Sequence, residues 1–260
     1  MTGLPTLFVS HGAPTFAIDP GLAGPELTAL GQALPTPKAI LVVSPHWTTP
    51  AARATTSTRP GTLHDFRGFA PELYEIQYPV NGEPTLAARA IELLTASGWP
   101  TTADERRGLD HGAWVPLLYL YPNANVAAFQ VSMPSDLDVE SAYRFGQALT
   151  PLRDEGVLII GSGSLTHNLG EVSMEHRHGE AYVREFANWV REAVEQGRHS
   201  QLLDTLNCAP HALRAHPTTE HLLPLFIALG ASGRRGTAQV IEGGIRHGVL
   251  AMDTFVFNQA

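Results

Sequence analysis

The stretch Val157-Leu158-Ile159-Ile160-Gly161-Ser162-Gly163-Ser164 is an apolar run that ends in small residues, and His167 follows shortly after it. A short run rich in Val and Ile that stops at Gly and Ser is typical of a strand buried on both faces of a sheet. Three more runs have the same character and predict three more buried strands: Thr6 to Val9, Ala39 to Val43 and Val126 to Val131.

Helical patterns lie between these runs. The stretch from Pro84 to Ser97 places its apolar residues on one stripe and is followed by Gly98, a typical C-terminal cap. Because strands alternate with helices, the sequence indicates a layered α/β fold. Near the end of the chain, Gln239 to Ile241 and Val249 to Phe257 are predicted as strands, and an antiparallel last strand would make the sheet mixed. Three further helices are predicted: Asp138 to Arg153, Glu180 to Glu195, and one through Leu229 capped by Thr218 or Thr219.

Composition excludes several classes of protein. The chain has 260 residues, 17 Lys and Arg against 25 Asp and Glu, and a formal charge of −8, which argues against general nucleic-acid binding. A single Cys, Cys208, forms neither an internal disulfide nor a thiolate zinc cluster. The chain has no secretory signal pattern and no apolar run near the ~18 residues of a membrane span. We expect one cytoplasmic domain over residues 1–260 that binds no membrane.

Histidines recur just beyond the predicted strands. The chain has 12 His, and His11, His46 and His167 each follow a buried strand and a turn of small or rigid residues. Ligands of open α/β sheets bind outside the carboxyl ends of the strands, so these three imidazoles are expected to converge there. His111 and His221 are two more candidates, and the five together suffice for a catalytic metal, which needs about three protein ligands, plus an acid/base.

The other histidines receive different interpretations. His64 lies in a loop that could cover the site. His247 is expected in a turn, and His211 and His216 stay unassigned. The remaining ones are predicted at the surface: His176, His178 and His199. No nucleophile elbow G-x-S-x-G and no phosphate loop G-x-x-x-x-G-K-[ST] occurs, which argues against those chemistries.

These residues stand in motifs that resemble a known family. The chain is similar to the class III extradiol ring-cleavage dioxygenases, and most of all to the DOPA 4,5-dioxygenase-like branch. The resemblance runs from about residue 7 to the C-terminus. It rests on six ordered blocks: Phe8-Val9-Ser10-His11-Gly12-Ala13-Pro14, Val43-Ser44-Pro45-His46-Trp47, His64-Asp65-Phe66-Arg67-Gly68-Phe69, Leu109-Asp110-His111-Gly112-Ala113-Trp114, Gly161-Ser162-Gly163-Ser164-Leu165-Thr166-His167-Asn168 and Pro217-Thr218-Thr219-Glu220-His221-Leu222-Leu223-Pro224-Leu225.

The resemblance implies a three-layer α/β/α sandwich with a mixed, mainly parallel central sheet. It also implies a mononuclear metal and cleavage of a catechol ring, by O₂, beside the two hydroxyls. By motif, His11, His46 and His221 correspond to metal ligands. His167 matches an acid/base in the wider family and a fourth ligand in the DOPA-type branch, so both roles stay open. His111 corresponds to a His near the substrate and is a second candidate for acid/base catalysis.

The nature of the metal stays open at this point. The wider class binds Fe(II) with two His and one carboxylate, whereas this chain has His221 at the third position. Its neighbour Glu220 is predicted on the same helix, where adjacent side chains diverge, so the two are not expected to bind the metal together. Three or four imidazoles suit Zn(II) as well as Fe(II), and Zn(II) has no redox chemistry. A zinc hydrolase on the same site and a metal-binding protein without turnover are therefore the alternatives.

Aromatic residues near these motifs suggest where a catechol would lie. We expect His64, Asp65 and Phe66 to contact the substrate. Phe66, together with Phe69 and Trp47, suits either packing against an aromatic ring or packing within the core.

Overall fold

The computed structural model describes residues 3–173, 179–233 and 238–258. His176 and His178, predicted at the surface, lie outside the described residues. The strands are β1 (Thr6–Ser10), β2 (Ala39–Val43), β3 (Thr48–Thr49), β4 (Ala52–Thr55), β5 (Thr101–Asp104), β6 (Ala127–Gln130), β7 (Met133–Pro134), β8 (Val157–Gly163), β9 (Ala238–Ile241), β10 (Ile245–Arg246), β11 (Leu250–Ala251) and β12 (Thr254–Phe257).

Helices connect these strands. The α-helices are α1 (Ala23–Ala33), α2 (Pro84–Ala96), α3 (His111–Leu120), α4 (Val139–Leu149), α5 (Pro151–Asp154), α6 (Ala181–Glu195), α7 (His199–Leu203), α8 (Thr205–Cys208), α9 (Ala212–Ala215) and α10 (Leu223–Ala231). Short 3₁₀ helices cover Pro14–Ala17, Pro71–Tyr74 and Leu169–Glu171. Among the described residues, no helix combines the length and apolar character that crossing a bilayer requires.

The central sheet has six strands in the order β6-β2-β8-β1-β12-β9. The first four strands of this order are parallel, while β12 is antiparallel to both β1 and β9. Each residue of β1, β2 and β8 is buried, as expected for strands covered on both faces. The prediction of an α/β fold with a mixed, mainly parallel sheet is confirmed.

Alternating residues of β8 show that helices cover both faces of the sheet. Successive side chains of a strand point to opposite faces. A Cβ on Gly161 would overlap the carbonyl of Pro224 in α10, whereas the neighbouring Ser162 donates its hydroxyl to the carbonyl of Gly112 in α3. α4 packs on α10, and α1 packs on α3. The fold therefore has three layers, as the resemblance implied.

Three predicted elements have different bounds in the structure. The helix predicted from Asp138 to Arg153 is split into α4 and α5, because Pro151 cannot continue the hydrogen-bond ladder of α4. Neither Thr218 nor Thr219 caps the last helix, which begins at Leu223 without a side-chain cap. The final strand is interrupted between β11 and β12, where the buried Asp253 turns away from the ladder to bind Arg191.

Candidate metal centre

Five imidazoles predicted for one site lie together at the carboxyl ends of β1, β2 and β8. The ring centroid of His11 is 5.0 Å from that of His46, 5.4 Å from that of His111 and 5.5 Å from that of His221. His167 joins the group through His221, at a centroid distance of 3.5 Å. The imidazoles thus converge as the sequence pattern predicted, because the carboxyl ends of the parallel strands meet at one edge of the sheet.

His11 follows β1 directly, and its environment fixes its protonation. Its backbone N–H donates to the carbonyl of Gly163 at 2.9 Å, which holds the end of β1 against β8. Its Nδ1 lies 3.0 Å from the hydroxyl oxygen of Ser162, and this hydroxyl donates its single proton to the carbonyl of Gly112. Because Ser162 can only accept from His11, Nδ1 carries the ring proton. The Nε2 lone pair of His11 therefore faces the centre of the cluster.

His46 follows β2 and places its Nε2 3.0 Å from His11 Nε2. On the other side of the ring, Nδ1 lies 3.7 Å from Asp65 Oδ2, and this carboxylate favours a proton on Nδ1. His11 Nε2 and His46 Nε2 would then face each other with a lone pair each. Two lone pairs at this distance repel each other, and a cation bound by both nitrogens removes the repulsion. This donor arrangement fits a metal ion.

His221 approaches the cluster from the opposite layer, just before α10. Its Nδ1 lies 3.1 Å from Glu220 Oε1, which in turn accepts the hydroxyl proton of Thr218. The sequence placed Glu220 and His221 on a helix, where adjacent side chains diverge, and this placement is wrong. Both residues precede α10, and the turn there lets the carboxylate reach its neighbour's ring.

His167 packs face to face on His221, with an angle of 11° between the ring planes. The backbone N–H of His167 donates to the carbonyl of Ala215 at 2.8 Å, which ties the end of β8 to α9. Burial and the nearby His221 lower the pKa of His167 to about 3, so the ring is neutral near pH 7.

Burial also keeps the rings of His11, His46 and His221 neutral. Desolvation, followed by repulsion from neighbouring histidines, lowers the pKa of His11 and of His46. Desolvation outweighs the attraction of Glu220 and lowers the pKa of His221. A neutral imidazole is the form that binds a metal. One nitrogen each from His11, His46 and His221 lies within 4.8 Å of the other two, so these residues could hold an ion.

Comparison with known proteins identifies the family of this chain. The family model described as the catalytic LigB subunit of aromatic ring-opening dioxygenase matches residues 22–252. The chain belongs to the LigB family. The predicted family and enzyme class, a metal-dependent extradiol ring-cleavage dioxygenase, are thereby confirmed.

Curated relatives cover nearly the whole chain. A protein of Beta vulgaris named 4,5-DOPA dioxygenase extradiol is 39% identical over 256 residues, which are 97% of this chain and 96% of the relative. A protein of Escherichia coli K12 with the same name is 37% identical over 259 residues, or 96% and 93% of the two chains. The crystal structure of an uncharacterized protein, JW3007, from Escherichia coli K12 superposes with a TM-score of 0.80 at 30% identity, covering 98% of this chain and all 100% of that one.

In this LigB-family chain, His111 stands at the start of α3. Its Nδ1 and its backbone N–H both lie 2.9 Å from Asp65 Oδ1. The next residue, Gly112, approaches the cluster so closely that a Cβ there would overlap Ser44 Oγ and come within 3.1 Å of His46 Cδ2. Asp110 begins the helix by accepting the N–H of Ala113 at 3.2 Å.

The residues predicted to contact the substrate lie at different distances from the histidine cluster. The Phe66 ring packs edge-on against His111, at a centroid distance of 5.6 Å. His64 lies behind Phe66, and its Nε2 donates to the carbonyl of Ile76 at 2.9 Å. Trp47 is buried under the guanidinium of Arg107, at 5.3 Å from the ring centroid. Phe66 is therefore the aromatic side chain of this group that contacts the histidine cluster, while Phe69 packs against Phe66.

Two buried residues near the cluster were missed or left unassigned by the sequence. Ser162, whose contact with His11 is described above, is predicted by the sequence pattern only as one of the small residues that end a strand. His216 is buried and donates its Nε2–H to the carbonyl of Leu165 at 2.8 Å, which supports the turn before His167. No local motif signals either contact, since each joins residues at least 51 positions apart. His247 lies in a turn with a φ of 51°, as predicted.

Proposed function

We propose that this chain cleaves the ring of a DOPA-like catechol with O₂ at one divalent metal ion held by His11, His46 and His221. The observation that carries the proposal is the 3.0 Å separation of His11 Nε2 and His46 Nε2. Nitrogens that bind one ion at about 2.1 Å lie about 3.0–3.4 Å apart in octahedral or tetrahedral geometry. The relatives named 4,5-DOPA dioxygenase extradiol support the choice of substrate.

We propose Fe(II) as the working metal, because Zn(II) has no redox chemistry with which to activate O₂. The three imidazoles suit either ion, so Zn(II) is expected to compete for the same nitrogens. When bound, the metal would supply Lewis acidity toward the catechol hydroxyls and a place for O₂ beside the ring. The histidines contribute by holding their lone pairs in position before any ligand arrives.

We propose that His167 acts as a general base and not as a fourth ligand. A nitrogen lone pair lies in the plane of its imidazole ring. Because the rings of His167 and His221 are parallel and stacked, their lone pairs do not point at one ion. His167 lies beside the cluster without being aimed at the proposed ion, where it can accept a proton from a catechol hydroxyl.

His111 is proposed to face the same substrate from the other side. Because its Nδ1 proton is held by Asp65, its Nε2 is the nitrogen left to accept a hydrogen bond from the substrate. Phe66, which packs edge-on against His111, would form an apolar wall for the catechol ring. Such a wall excludes water and orients the ring, which supplies part of the catalysis through proximity.

The test is an aerobic assay of metal-free protein that has been reconstituted with Fe(II) or with Zn(II). We expect catechol-dependent O₂ uptake with Fe(II), none with Zn(II), and none with Fe(II) in the His221→Ala variant. The partly exposed His199 gives a matched control, since His199→Ala should behave as the wild type. Absence of O₂ uptake with Fe(II) across a panel of catechols would contradict the proposal, and O₂-independent hydrolysis with Zn(II) would favour a hydrolase.

A further inference from the structure

Asp65 contacts two of the five histidines at once. Its Oδ1 accepts two hydrogen bonds from His111, one from Nδ1 and one from the backbone N–H, both at 2.9 Å. Its Oδ2 lies 3.7 Å from His46 Nδ1. We propose that Asp65 is a positioning residue that sets the ring orientation and tautomer of His46 and His111 together. The proposal rests on the metal site proposed above.

The loop that carries Asp65 is held in place by other contacts. Leu63 donates its N–H to the carbonyl of Leu109, and Leu109 donates to the carbonyl of Gly61, each at 2.8 Å. The indole Nε1–H of Trp114 donates to the carbonyl of Leu63 at 2.9 Å. These bonds pin the loop alongside the segment that enters α3. The backbone of the loop is therefore held by contacts that do not involve the Asp65 side chain, and it places the carboxylate beside the histidines.

The contacts with His111 determine which nitrogen of this ring is free. A carboxylate only accepts hydrogen bonds, so the short contact places the ring proton of His111 on Nδ1. Nε2 then keeps its lone pair on the side away from Asp65. The second bond, from the backbone N–H at the first residue of α3, fixes the carboxylate relative to the helix. The orientation of His111 is thereby set from both its side chain and its backbone.

The contact with His46 is electrostatic. At 3.7 Å the separation exceeds a hydrogen bond, but a negative oxygen opposite Nδ1 still favours a proton there over a lone pair. With Nδ1 protonated, Nε2 of His46 is free to face Nε2 of His11. Histidines that bind metals are commonly oriented by a carboxylate on their other nitrogen, and loss of this partner costs about 10–100-fold in affinity or activity.

One carboxylate thus connects a proposed metal ligand with a residue proposed to contact the substrate. A direct role in binding the substrate would require an oxygen aimed at the substrate. Both oxygens of Asp65 face histidines instead, and Oδ1 already accepts two bonds. The geometry consequently favours positioning over the direct substrate contact that the sequence suggested.

Asp65→Asn tests this role with little change in shape. The amide oxygen can still accept from His111, but the amide N–H₂ would face His46 Nδ1 and favour a lone pair there. The proton of His46 would then move to Nε2, where it opposes metal binding. Asp138→Asn is a matched control, because Asp138 also accepts a backbone N–H in the first turn of a helix, and it contacts no histidine in the part of the chain that the structure describes.

Two readouts are measured on full-length protein. The first is the affinity of the metal-free protein for Zn(II), determined by competition with a chromophoric chelator. We expect Asp65→Asn to weaken Zn(II) binding about 10-fold or more and Asp138→Asn to leave it unchanged. The second is steady-state O₂ uptake with Fe(II) and saturating metal, where we expect kcat to fall and KM to stay within about twofold. Asp65→Glu, which keeps the charge, should recover part of the Zn(II) affinity.

Three outcomes would overturn the inference. Unchanged Zn(II) affinity with a raised KM would make Asp65 a substrate-binding residue. A second equivalent of Zn(II) bound by the wild type and lost in Asp65→Asn would make it a ligand. The third outcome concerns folding, judged by circular dichroism. If Asp65→Asn did not fold, while Asp65→Glu folded and kept the Zn(II) affinity and kcat of the wild type, a positioning role would also be wrong. Failure of the wild type itself to bind Zn(II) would instead remove the metal site proposed above.

Discussion

The hydroxyl oxygen of Ser162 lies 3.0 Å from Nδ1 of His11, while its proton is donated to the carbonyl of Gly112. One side chain thus links the end of β1, the strand β8 and the first turn of α3. Because the hydroxyl has only one proton, this link determines that His11 presents a lone pair at Nε2. The tautomer of His11 is thus set by a neutral hydroxyl, whereas that of His111 is set by the carboxylate of Asp65.

Replacing Ser162 by Ala should therefore weaken metal binding without abolishing it. The change leaves Nδ1 of His11 and the carbonyl of Gly112 without their buried partner, so both tautomers of His11 become accessible. We expect about a 10-fold loss of Zn(II) affinity, measured by chelator competition. Ser164→Ala is the control, since the Ser164 hydroxyl donates to the carbonyl of Thr166 and not to a histidine. Equal affinities for the two variants would contradict the role assigned to Ser162.

Replacing His167 by Gln should separate catalysis from metal binding. The stacked arrangement with His221 supports a role in proton transfer, so we expect kcat to fall about 10²–10⁴-fold while Zn(II) affinity changes by less than about threefold. Metal affinity and O₂ uptake are measured on the same preparation. A loss of metal affinity as large as that of His221→Ala would show that His167 is a ligand.

Replacing Gly112 by Ala should disturb the site through overpacking. A Cβ at this position would overlap Ser44 Oγ and press on His46 Cδ2 from 3.1 Å. We expect a loss of about 1–3 kcal/mol in the free energy of unfolding, measured in urea, together with weaker metal binding. Gly61→Ala is the matched control, because a Cβ there would meet no atom within 4 Å. If both variants unfolded at the same urea concentration, the close approach of α3 to His46 would be in doubt.

Replacing Arg191 by Met should destabilise the junction between β11 and β12. Arg191 binds both oxygens of the fully buried Asp253, at 2.9 Å from Nε and 3.0 Å from Nη2. Burial raises the pKa of Asp253 even beside this guanidinium, so the carboxylate depends on its partner. We expect a loss of about 3–5 kcal/mol in the free energy of unfolding, measured in urea.

The partly exposed Arg89 provides the comparison for this ion pair. It pairs with Glu92 and Glu155 at 3.1 and 3.0 Å, where solvent screens the charges, so Arg89→Met should have little effect. Adding Asp253→Asn to Arg191→Met should recover part of the loss, because the buried charge is then removed. Equal effects of the two Met variants would contradict the importance of burial.

The helix cap at Asp138 should make a pH-dependent contribution to stability. Hydrogen bonds from the side chain and backbone N–H of Ser141 lower the pKa of Asp138, so the ionised carboxylate is favoured in the folded state. Its contribution is fully present above the unfolded pKa of about 3.9 and is lost as the pH falls through the folded pKa. We expect Asp138→Ala to cost about 1 kcal/mol at pH 7 and less below pH 3, measured by urea unfolding at each pH.

A neighbouring carboxylate serves as control for this measurement. Asp136 lies two residues earlier and makes no hydrogen bond or ion pair with the residues that the structure describes. Asp136→Ala should therefore change the free energy of unfolding little at either pH. A cost of Asp138→Ala that stayed constant between pH 7 and pH 3 would mean that the ionised form of the cap is not preferred.

Much of the site could be predicted because its histidines follow strands. His11 and His46 each come within three residues of the end of a buried parallel strand, and the carboxyl ends of such strands share one edge. His111 was placed by its motif, and the structure locates it at the first turn of α3. The interpretation of Glu220 and His221 was wrong in its geometry, because the helix was expected to start earlier than Leu223.

The amino-acid sequence by itself determined the class of fold, the family and the set of histidines. Apolar runs and their bounding Gly and Ser residues are local patterns, and local patterns suffice to specify strands and the points where they end. What the tertiary structure alone decided is how each ring is held: Ser162 beneath His11, Asp65 between His46 and His111, and His167 stacked on His221. These contacts join segments from different layers of the sandwich. Their distances depend on how the helices pack on the sheet, which no spacing along the chain records.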